Sequence, residues 1–392
     1  MLTNSNYHHR SMVRFCSIFL SLSWAIFGSG CSTPRVASIG MVQPNPSDKP
    51  DDELVPAVEQ PINQSQTTEA ITESNPTDEV VSAQPKPSNL TPTPPVSRPA
   101  TPLEQAETLL AQGDFEQALD AFADLLLNNP GLVEAYMGLA NTHERLENPW
   151  AAERSWRRAI ELKPDDPQVV LRHANVLYEI GRSKEAERHW IRCLTLAPNS
   201  VEPLVMLATL ELDRDQAQAA LPYARSSVRL APKHGPGRAV YARALLVVGQ
   251  ASASIAHWSM AIEALPDDFS LLAGLLEAYA ACQDYEGALA TALVLERRAS
   301  SAGVLERIGW CYFKLGRYEE SRVAYQKSTE LDSGCTPAWN GLGILALNRW
   351  LDQDRQNETD RKEAMSAFRK SLRSKSDQPK LARMILQFDL DR

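Results

Sequence analysis

The segment Trp150-Ala-Ala-Glu-Arg-Ser-Trp-Arg-Arg-Ala-Ile-Glu-Leu-Lys-Pro164 decides the fold, because its pattern returns 34 residues later as Lys184-Glu-Ala-Glu-Arg-His-Trp-Ile-Arg-Cys-Leu-Thr-Leu-Ala-Pro198. In both copies an alanine stands twelve residues before the proline and a tryptophan eight residues before it. Proline recurs in the same register at Pro130, Pro232 and Pro266. Self-similarity at a fixed period indicates a repeat protein.

Outward from this segment, the period divides the chain into eight units, which are 99–132, 133–166, 167–200, 201–234, 235–268, 269–301, 302–335 and 336–376. Each unit carries two apolar stripes with helical spacing, separated by a break such as Gly181-Arg182-Ser183. Glycine suits the left-handed residue that ends many helices, and a proline cannot continue one. Each unit is therefore predicted to form two helices.

The unit resembles the tetratricopeptide repeat, whose pattern has small residues at positions 8, 20 and 27, an aromatic residue at position 24 and proline at position 32. The resemblance covers residues 99–376 and implies an all-α fold, a right-handed α-solenoid of about eight helix-turn-helix repeats. Residues 377–392 then give apolar side chains at i, i+3, i+4 and i+7, namely Leu381, Met384, Ile385 and Phe388. This spacing predicts a helix that caps the last repeat.

Three units depart from the pattern. The fourth has Ala224 at the aromatic position and an internal Pro222, and the sixth lacks its terminal proline. The eighth is interrupted by a polar insertion near residues 351–360. We expect irregular stacking near residues 296–304 and 350–362.

The N-terminal residues have the layout of an export signal. Arg10 and Arg14 precede the apolar run 15–27, and the small residues 28–30 lead to Cys31. Because the run is too short to span a bilayer, residues 1–30 are predicted to be a signal peptide.

A cysteine directly after small residues resembles a bacterial lipoprotein signal, although Gly28 stands where the family has leucine. The resemblance implies lipidation of Cys31 and membrane anchoring, at the periplasmic face or, with Ser32 following, the outer membrane. Ordinary secretion with a free Cys31 and a short uncleaved anchor stay open. Translation from Met12 would leave this interpretation intact.

Residues 31–98 are rich in proline, serine, threonine and glutamine and contain no aromatic residue. Such a segment cannot bury enough apolar surface to offset its conformational entropy. We expect a disordered acidic linker that holds the folded domain away from a membrane.

No catalytic, cofactor or metal site is predicted. The formal net charge of −9 argues against a nucleic-acid partner, since such binding depends on clustered cations. His143 and Glu147 match a zinc-protease helix only in part, and His189 with Cys193 supplies two metal ligands without a third. The segment His234-Gly-Pro-Gly237 is interpreted as a turn.

The cysteines of the repeats, Cys193, Cys282, Cys311 and Cys335, show no motif spacing. Export would allow them to oxidise, and a bridge between Cys282 and Cys311 is one possibility. Buried free thiols are the simpler interpretation.

The resemblance implies that the first helices line a concave groove through positions 2, 5, 9, 12 and 13 of each unit. The groove candidates are Met137, Asn141, Leu171, Arg172, Asn175, Tyr178, Met206, Arg243, Trp310 and Phe313. Several of these positions carry apolar residues, and an exposed apolar strip marks a binding site. The alternative is tight superhelical packing that buries part of the strip. Asn141 and Asn175 suit clasping an extended peptide backbone, or hydrogen-bonding neighbouring helices.

One specialised use of the groove is not expected. The chaperone-binding subset of the family clamps a terminal carboxylate with paired basic residues. The corresponding positions here hold Met137, Asn141, Arg172 and Val205, which do not make that clamp.

The sequence therefore predicts a non-catalytic scaffold that binds a peptide or protein partner, in envelope or pilus assembly. Alternatives are an accessory subunit that recruits an envelope hydrolase or transferase, a structural homo-oligomer, and an enzyme in its own right. The partner, pathway and oligomeric state stay open.

Overall fold

The computed structural model describes residues 100–391. In that range the chain forms seventeen α-helices in tandem and no strand, which confirms the predicted all-α solenoid. The predictions for the signal peptide 1–30, for Cys31 and for the linker 31–98 lie outside the described residues. None of the helices within residues 100–391 combines the length and the apolar character needed to cross a membrane.

The first five repeats each contain one helix pair. The pairs are α1 Pro102–Gln112 with α2 Phe115–Asn128, α3 Val133–Arg145 with α4 Pro149–Leu162, α5 Pro167–Glu179 with α6 Ser183–Leu196, α7 Val201–Asp213 with α8 Ala217–Leu230, and α9 Gly235–Val247 with α10 Ala251–Ala264. The repeat prolines, such as Pro164 and Pro198, stand two residues after the end of a second helix, as expected for a residue that cannot extend it.

The remaining helices complete three more pairs and a cap. They are α11 Ser270–Ala281 with α12 Tyr285–Arg298, α13 Ala302–Lys314 with α14 Tyr318–Leu331, α15 Thr336–Asp352 with α16 Glu358–Ser374, and the single helix α17 Pro379–Gln387. Near residues 296–304, where we expected irregular stacking, the connection from α12 to α13 is a short segment that ends at the capping residue Ser301.

The turn within each of the first seven repeats is made by one left-handed residue. Position 15 has φ between 54° and 89° in all seven, at Gly113, Glu147, Gly181, Asp215, Gln283, Gly249 and Gly316. Four of the seven are glycine, the residue that adopts this conformation without a steric penalty. The predicted break therefore lies where the sequence places it, including in repeats that lack the glycine.

Close helix approach follows from small side chains at two repeat positions. Ala140, Ala174 and Ala208 at position 8 are fully buried, as are Ala152 and Ala186 at position 20. The aromatic side chains at position 24 fill the remaining space, and Trp156 and Trp190 are among the largest fully buried groups. Each repeat therefore contributes one layer of buried side chains to the stack, as in other solenoids.

The eighth repeat is interrupted within the expected segment, since residues 353–357 form a longer turn than the three residues of repeat two. Its helices are longer as well. Both of its helices, α15 and α16, run for 17 residues, whereas the first helices of repeats two to five have 13. The inserted residues therefore lengthen the helices, and the turn between them places Asp354 and Arg355 in the left-handed region.

The predicted cap is α17. Leu381, Met384, Ile385 and Phe388 are buried in the largest apolar cluster of the described chain, which also contains side chains of repeats six to eight. The cap therefore covers the apolar end that an open stack of helix pairs would leave exposed.

The four cysteines of the repeats are free thiols, so the Cys282–Cys311 bridge is not formed. Cys193, Cys311 and Cys335 are buried, but Cys282 is exposed at the end of α11, and the expectation of a buried thiol is wrong there. Burial raises the pKa of Cys311 to about 12, which leaves that thiol protonated and unreactive at neutral pH.

Candidate peptide-binding face

Seven of the predicted groove residues form one half-exposed row on α3, α5, α7 and α9. The row, called here the first-helix face, consists of Met137, Asn141, Arg172, Asn175, Tyr178, Met206 and Arg243. Helical spacing explains the row, because the 4/7/8/11 positions of each helix turn toward the core and leave these positions on another side.

Hydrogen bonds between the neighbouring first helices α3 and α5 fix the side chains at one end of this face. The Arg172 guanidinium on α5 donates to Glu144 Oε2 at 2.7 Å and to Asn141 Oδ1 at 3.2 Å on α3. Trp156 Nε1 donates to the other Glu144 oxygen at 2.6 Å. Burial raises the pKa of Glu144, although the Trp156 bond and the Arg172 charge act in the opposite direction.

Asn175 uses both ends of its amide within the protein. Its Nδ2 donates to Glu202 Oε1 at 3.1 Å, and its Oδ1 accepts from Trp190 Nε1 at 2.9 Å. This geometry matches the alternative in which the asparagines hydrogen-bond neighbouring helices. Asn141 differs, since its Nδ2 donates to no residue in the described part of the chain, and that group is free for a ligand.

Tyr178 and Arg243 share one acceptor. The Tyr178 hydroxyl donates to Asp213, and Arg243 Nη2 donates to Asp213 Oδ1 at 3.3 Å. Burial and the bond to Asp213 raise the pKa of Tyr178 to about 12, so the phenol remains a donor at physiological pH. The Tyr178 ring also lies 5.5 Å from the Trp190 ring, which fixes its orientation.

The charges along the first-helix face are paired, since Glu144 pairs with Arg172 and Asp213 with Arg243. Exposed or half-exposed pairs of this kind contribute only about 0–1 kcal/mol each to stability. The face consequently has no single sign of charge, and a partner would be selected by hydrogen bonds and contact rather than by long-range attraction.

Two predicted groove residues are not on the surface. Leu171 is 3% exposed and packs in the core with Leu177 and Trp190. Trp310 is 4% exposed and lies edge-to-face on Tyr285 at 5.4 Å. Their predicted exposure is wrong, because packing between successive helices buries them.

The tenth candidate, Phe313, is half-buried on α13 with its ring 5.7 Å from Tyr318. It lies in repeat seven, outside the hydrogen-bonded row. Val205, at the same repeat position as Leu171, is also buried. The exposed surface of the strip is therefore less apolar than the sequence indicated. The alternative of tight packing applies to the buried Leu171, Val205 and Trp310.

Sequence reasoning missed the acidic members of the row. Glu144, Glu202 and Asp213 occupy positions 12, 2 and 13, all within the groove set, and each accepts a hydrogen bond from the next or the preceding repeat. A comparison of groove positions between adjacent repeats, searching for an acidic residue that faces a basic or amide residue, would have identified them.

The residues considered for metal binding have other roles. Cys193 Sγ donates to Pro167 O at 3.4 Å, and the His189 ring lies against His173 at 5.0 Å. Glu147 follows the end of α3 and does not share a helix face with His143. Within residues 100–391, no three His, Cys, Asp or Glu side chains are placed to hold a metal ion.

The segment His234-Gly-Pro-Gly237 forms the start of α9. His234 Nδ1 accepts a hydrogen bond from Gly237 N at 3.1 Å and so caps the helix. The interpretation as a turn agrees with this geometry, because the side chain of the turn already occupies the first free amide.

Comparison with family models gives two matches, both to the tetratricopeptide repeat, at residues 103–167 and 302–335. These segments correspond to most of repeats one and two and to repeat seven. These two matched segments resemble the tetratricopeptide repeat, in agreement with the repeat pattern of the sequence.

Several solved structures are similar in fold. Pseudomonas aeruginosa pilF has 20% identity and a TM-score of 0.46, over 50% of this chain and 90% of that chain. A tetratricopeptide repeat protein from Parabacteroides merdae has 16% identity and a TM-score of 0.46, over 62% and 97%. PilW, described as a type IV pilus biogenesis factor, has 18% identity and a TM-score of 0.46, over 50% and 91%.

Proposed function

We propose that this chain is a non-catalytic scaffold that binds an extended peptide segment of a partner protein on the first-helix face. The observation that carries the proposal is the row of half-exposed Asn141 on α3, Arg172 and Tyr178 on α5, and Arg243 on α9. These side chains are held in fixed positions by the hydrogen bonds between repeats, so little ordering is needed when a ligand binds.

The chemistry of the row fits a peptide backbone beside apolar side chains. The free Asn141 Nδ2 can donate to a peptide carbonyl, and the guanidinium groups offer further donors. Met137 and Met206 are flexible and polarisable, which suits contact with side chains of varied shape. Paired charges leave the face without a strong preference for an acidic or a basic ligand.

A matched pair of double variants tests the proposal. Asn141→Ala with Met206→Ala removes two side chains of the face, whereas Ile191→Ala with Met260→Ala removes exposed apolar side chains from second helices. A partner is first captured from an envelope extract with the parent chain, and its affinity for each variant is then measured with purified proteins. We expect at least tenfold weaker binding, about 1.4 kcal/mol, for the first variant alone.

Circular dichroism and thermal melting show whether both variants remain folded. Equal affinity of the folded parent and the Asn141/Met206 variant would overturn the proposal. An enzyme captured and activated in the extract would identify the chain as an accessory subunit. A stable assembly by light scattering, with no other protein captured, would identify a structural homo-oligomer.

We further propose that the chain is exported and anchored to a membrane by a lipid on Cys31. In that location it acts in envelope or pilus assembly. The support is the order of Arg14, the apolar run 15–27, the small residues 28–30 and Cys31. Two or more acyl chains give stable anchoring, since each buried methylene contributes about 0.8 kcal/mol.

Metabolic labelling with a radioactive fatty acid tests the anchor. Label should enter the parent chain and not the Cys31→Ser variant, and the variant should leave the membrane fraction. Labelling of both forms would contradict lipidation at Cys31, and unlabelled secreted parent chain would favour ordinary export.

A further inference from the structure

A second candidate site lies at the opposite end of the repeats from α1. A groove of about 410 Å³ runs between the outer surface of α16 and the segment that follows α17. Five cations line it, namely Arg361, Lys362, Arg369, Lys370 and Arg373, with Asp391 the single acid. Such a concentration of positive charge stands out in a chain of net charge −9.

Three of these cations have neither an ion pair nor an aromatic ring as a partner within the described residues. Lys362, Arg369 and Arg373 are exposed and form no ion pair with any residue in 100–391. Exposed arginines elsewhere in the solenoid are paired in some cases, as Arg158 is with Glu161, and unpaired within the described part of the chain in others, as at Arg225 and Arg229. What distinguishes this site is that its unpaired cations line one groove. Unpaired cations of like sign repel one another, so an anionic ligand would relieve this arrangement.

The other two cations shape the groove. Arg361 Nη1 donates to Leu390 O at 3.2 Å, and its Nη2 pairs with Glu358 at 2.8 Å. The hydrogen bond from Arg361 to Leu390 O holds the segment after α17 against α16. Lys370 lies over the Trp339 ring, 4.2 Å from its centroid. Met365 and the buried Leu390 provide an apolar floor.

We propose that this groove binds an acidic peptide segment of a partner protein. Lys362, Arg369 and Arg373 follow one helix face at i, i+7 and i+11, and the outer two are separated by about 16 Å along the axis. An extended peptide of about five residues covers that length. Arg–carboxylate pairs are strong and directional, and arginine clusters are a recurring means of acidic-motif recognition.

The dimensions favour a peptide over other anions. A single phosphate reaches only part of the row of cations, and a flat membrane surface contacts the rim but not the floor at Met365 and Leu390. The site is independent of the first-helix face, since it lies on a second helix and the C-terminal segment. Either proposal can therefore fail while the other holds.

The test uses the full chain and a fluorescently labelled octaglutamate peptide, followed by anisotropy at low and high salt. The variant Arg369→Glu/Arg373→Glu reverses two unpaired cations. Its control, Arg225→Glu/Arg229→Glu on α8, has the same spacing, the same exposure and the same position of the second arginine in the last helical turn.

We expect the peptide to bind the parent chain and the control within twofold of each other, and the Arg369/Arg373 variant at least tenfold more weakly. Binding to the parent should weaken at high salt, because the charges are exposed. Unfolding midpoints within a few degrees show that both variants are folded.

Four outcomes would overturn the proposal. They are absence of peptide binding, equal binding by both charge-reversed variants, inorganic phosphate binding as tightly as octaglutamate, and preferential binding of phosphatidylglycerol vesicles or single-stranded DNA. The third would indicate a simple anion pocket, and the fourth would assign the groove to a lipid surface or a nucleic acid.

Discussion

Position 15 of the repeat shows how single residues set the geometry between paired helices. Gly113, Gly181, Gly249 and Gly316 have positive φ, and so do Glu147, Asp215 and Gln283 at the same position. An L-residue with a side chain pays about 1–2 kcal/mol in this region. Repeats two, four and six therefore contain strain that the other turns avoid.

Removing a glycine at position 15 should lower the free energy of unfolding, and introducing one should not lower it. Gly181→Ala should lower the free energy of unfolding by about 1 kcal/mol, since a methyl group there meets no atom within 4 Å and only the backbone is strained. Asp215→Gly should be neutral or stabilising. Urea denaturation measures both, with Gly131→Ala as the control, because its added methyl makes only an ordinary contact. Equal effects of Gly181→Ala and Gly131→Ala would contradict the account.

The buried His173 makes stability depend on pH. It is 5% exposed, and both ring nitrogens lack a hydrogen-bond partner within the described chain. Glu153 lies 3.6 Å away and Arg182 pairs with that carboxylate. Burial, followed by the charge of His189, lowers the pKa of His173 to about 4.

Since the unfolded chain protonates His173 near its ordinary pKa of 6.5, it binds more protons than the folded chain between pH 6.5 and pH 4. The free energy of unfolding should therefore fall as the pH drops through this window, by a total on the order of 3 kcal/mol from this group. His173→Phe should flatten the dependence in a series of denaturation curves. An unchanged slope in that variant would show that other groups are responsible.

At the scale of the element, aromatic side chains pack directly against glycines of neighbouring helices. Tyr325 of α14 is fully buried between Gly309 of α13 and Gly341 of α15. Phe122 meets Gly138 and Phe368 meets Gly343 in the same manner. The absence of a Cβ at these points lets the helix approach the ring closely.

Adding that Cβ should loosen the seventh and eighth repeats. A methyl group on Gly341 would overlap the ring carbons of Tyr325, so Gly341→Ala should destabilise by about 1–3 kcal/mol. Thermal unfolding of Gly341→Ala, Tyr325→Leu and the double variant forms a double-mutant cycle. We expect the double variant to be more stable than the sum of the single effects predicts, and strict additivity would show that the two residues do not interact.

At the scale of the whole molecule, the features that could be predicted from the sequence are those that depend on residues close together in the repeat pattern. The 34-residue register placed the helices, the turn at position 15 and the cap residues Leu381 and Ile385 correctly, because these depend on neighbours within one or two repeats. The burial of Leu171 and Trp310 depends on how closely successive helices pack, and no single repeat encodes that. The lengthening of α15 and α16 was missed because a polar insertion also fits a loop.

The candidate site was predictable in part for the same reason. Groove positions followed from repeat numbering, and seven of the ten candidates lie on the first-helix face. The pairing of Arg172 with Glu144 and of Arg243 with Asp213 joins different repeats, so it required the structure. The cationic groove on α16 includes the segment after α17, whose position follows from tertiary packing.

The most direct test of the central claim is hydrogen–deuterium exchange of the full chain with and without a purified partner. If the first-helix face binds the partner, protection should increase on α3, α5, α7 and α9, while the second helices α4, α6, α8 and α10 exchange as before. Protection confined to the second helices, or to α16 and the segment after α17, would contradict the claim that the first-helix face is the principal binding surface.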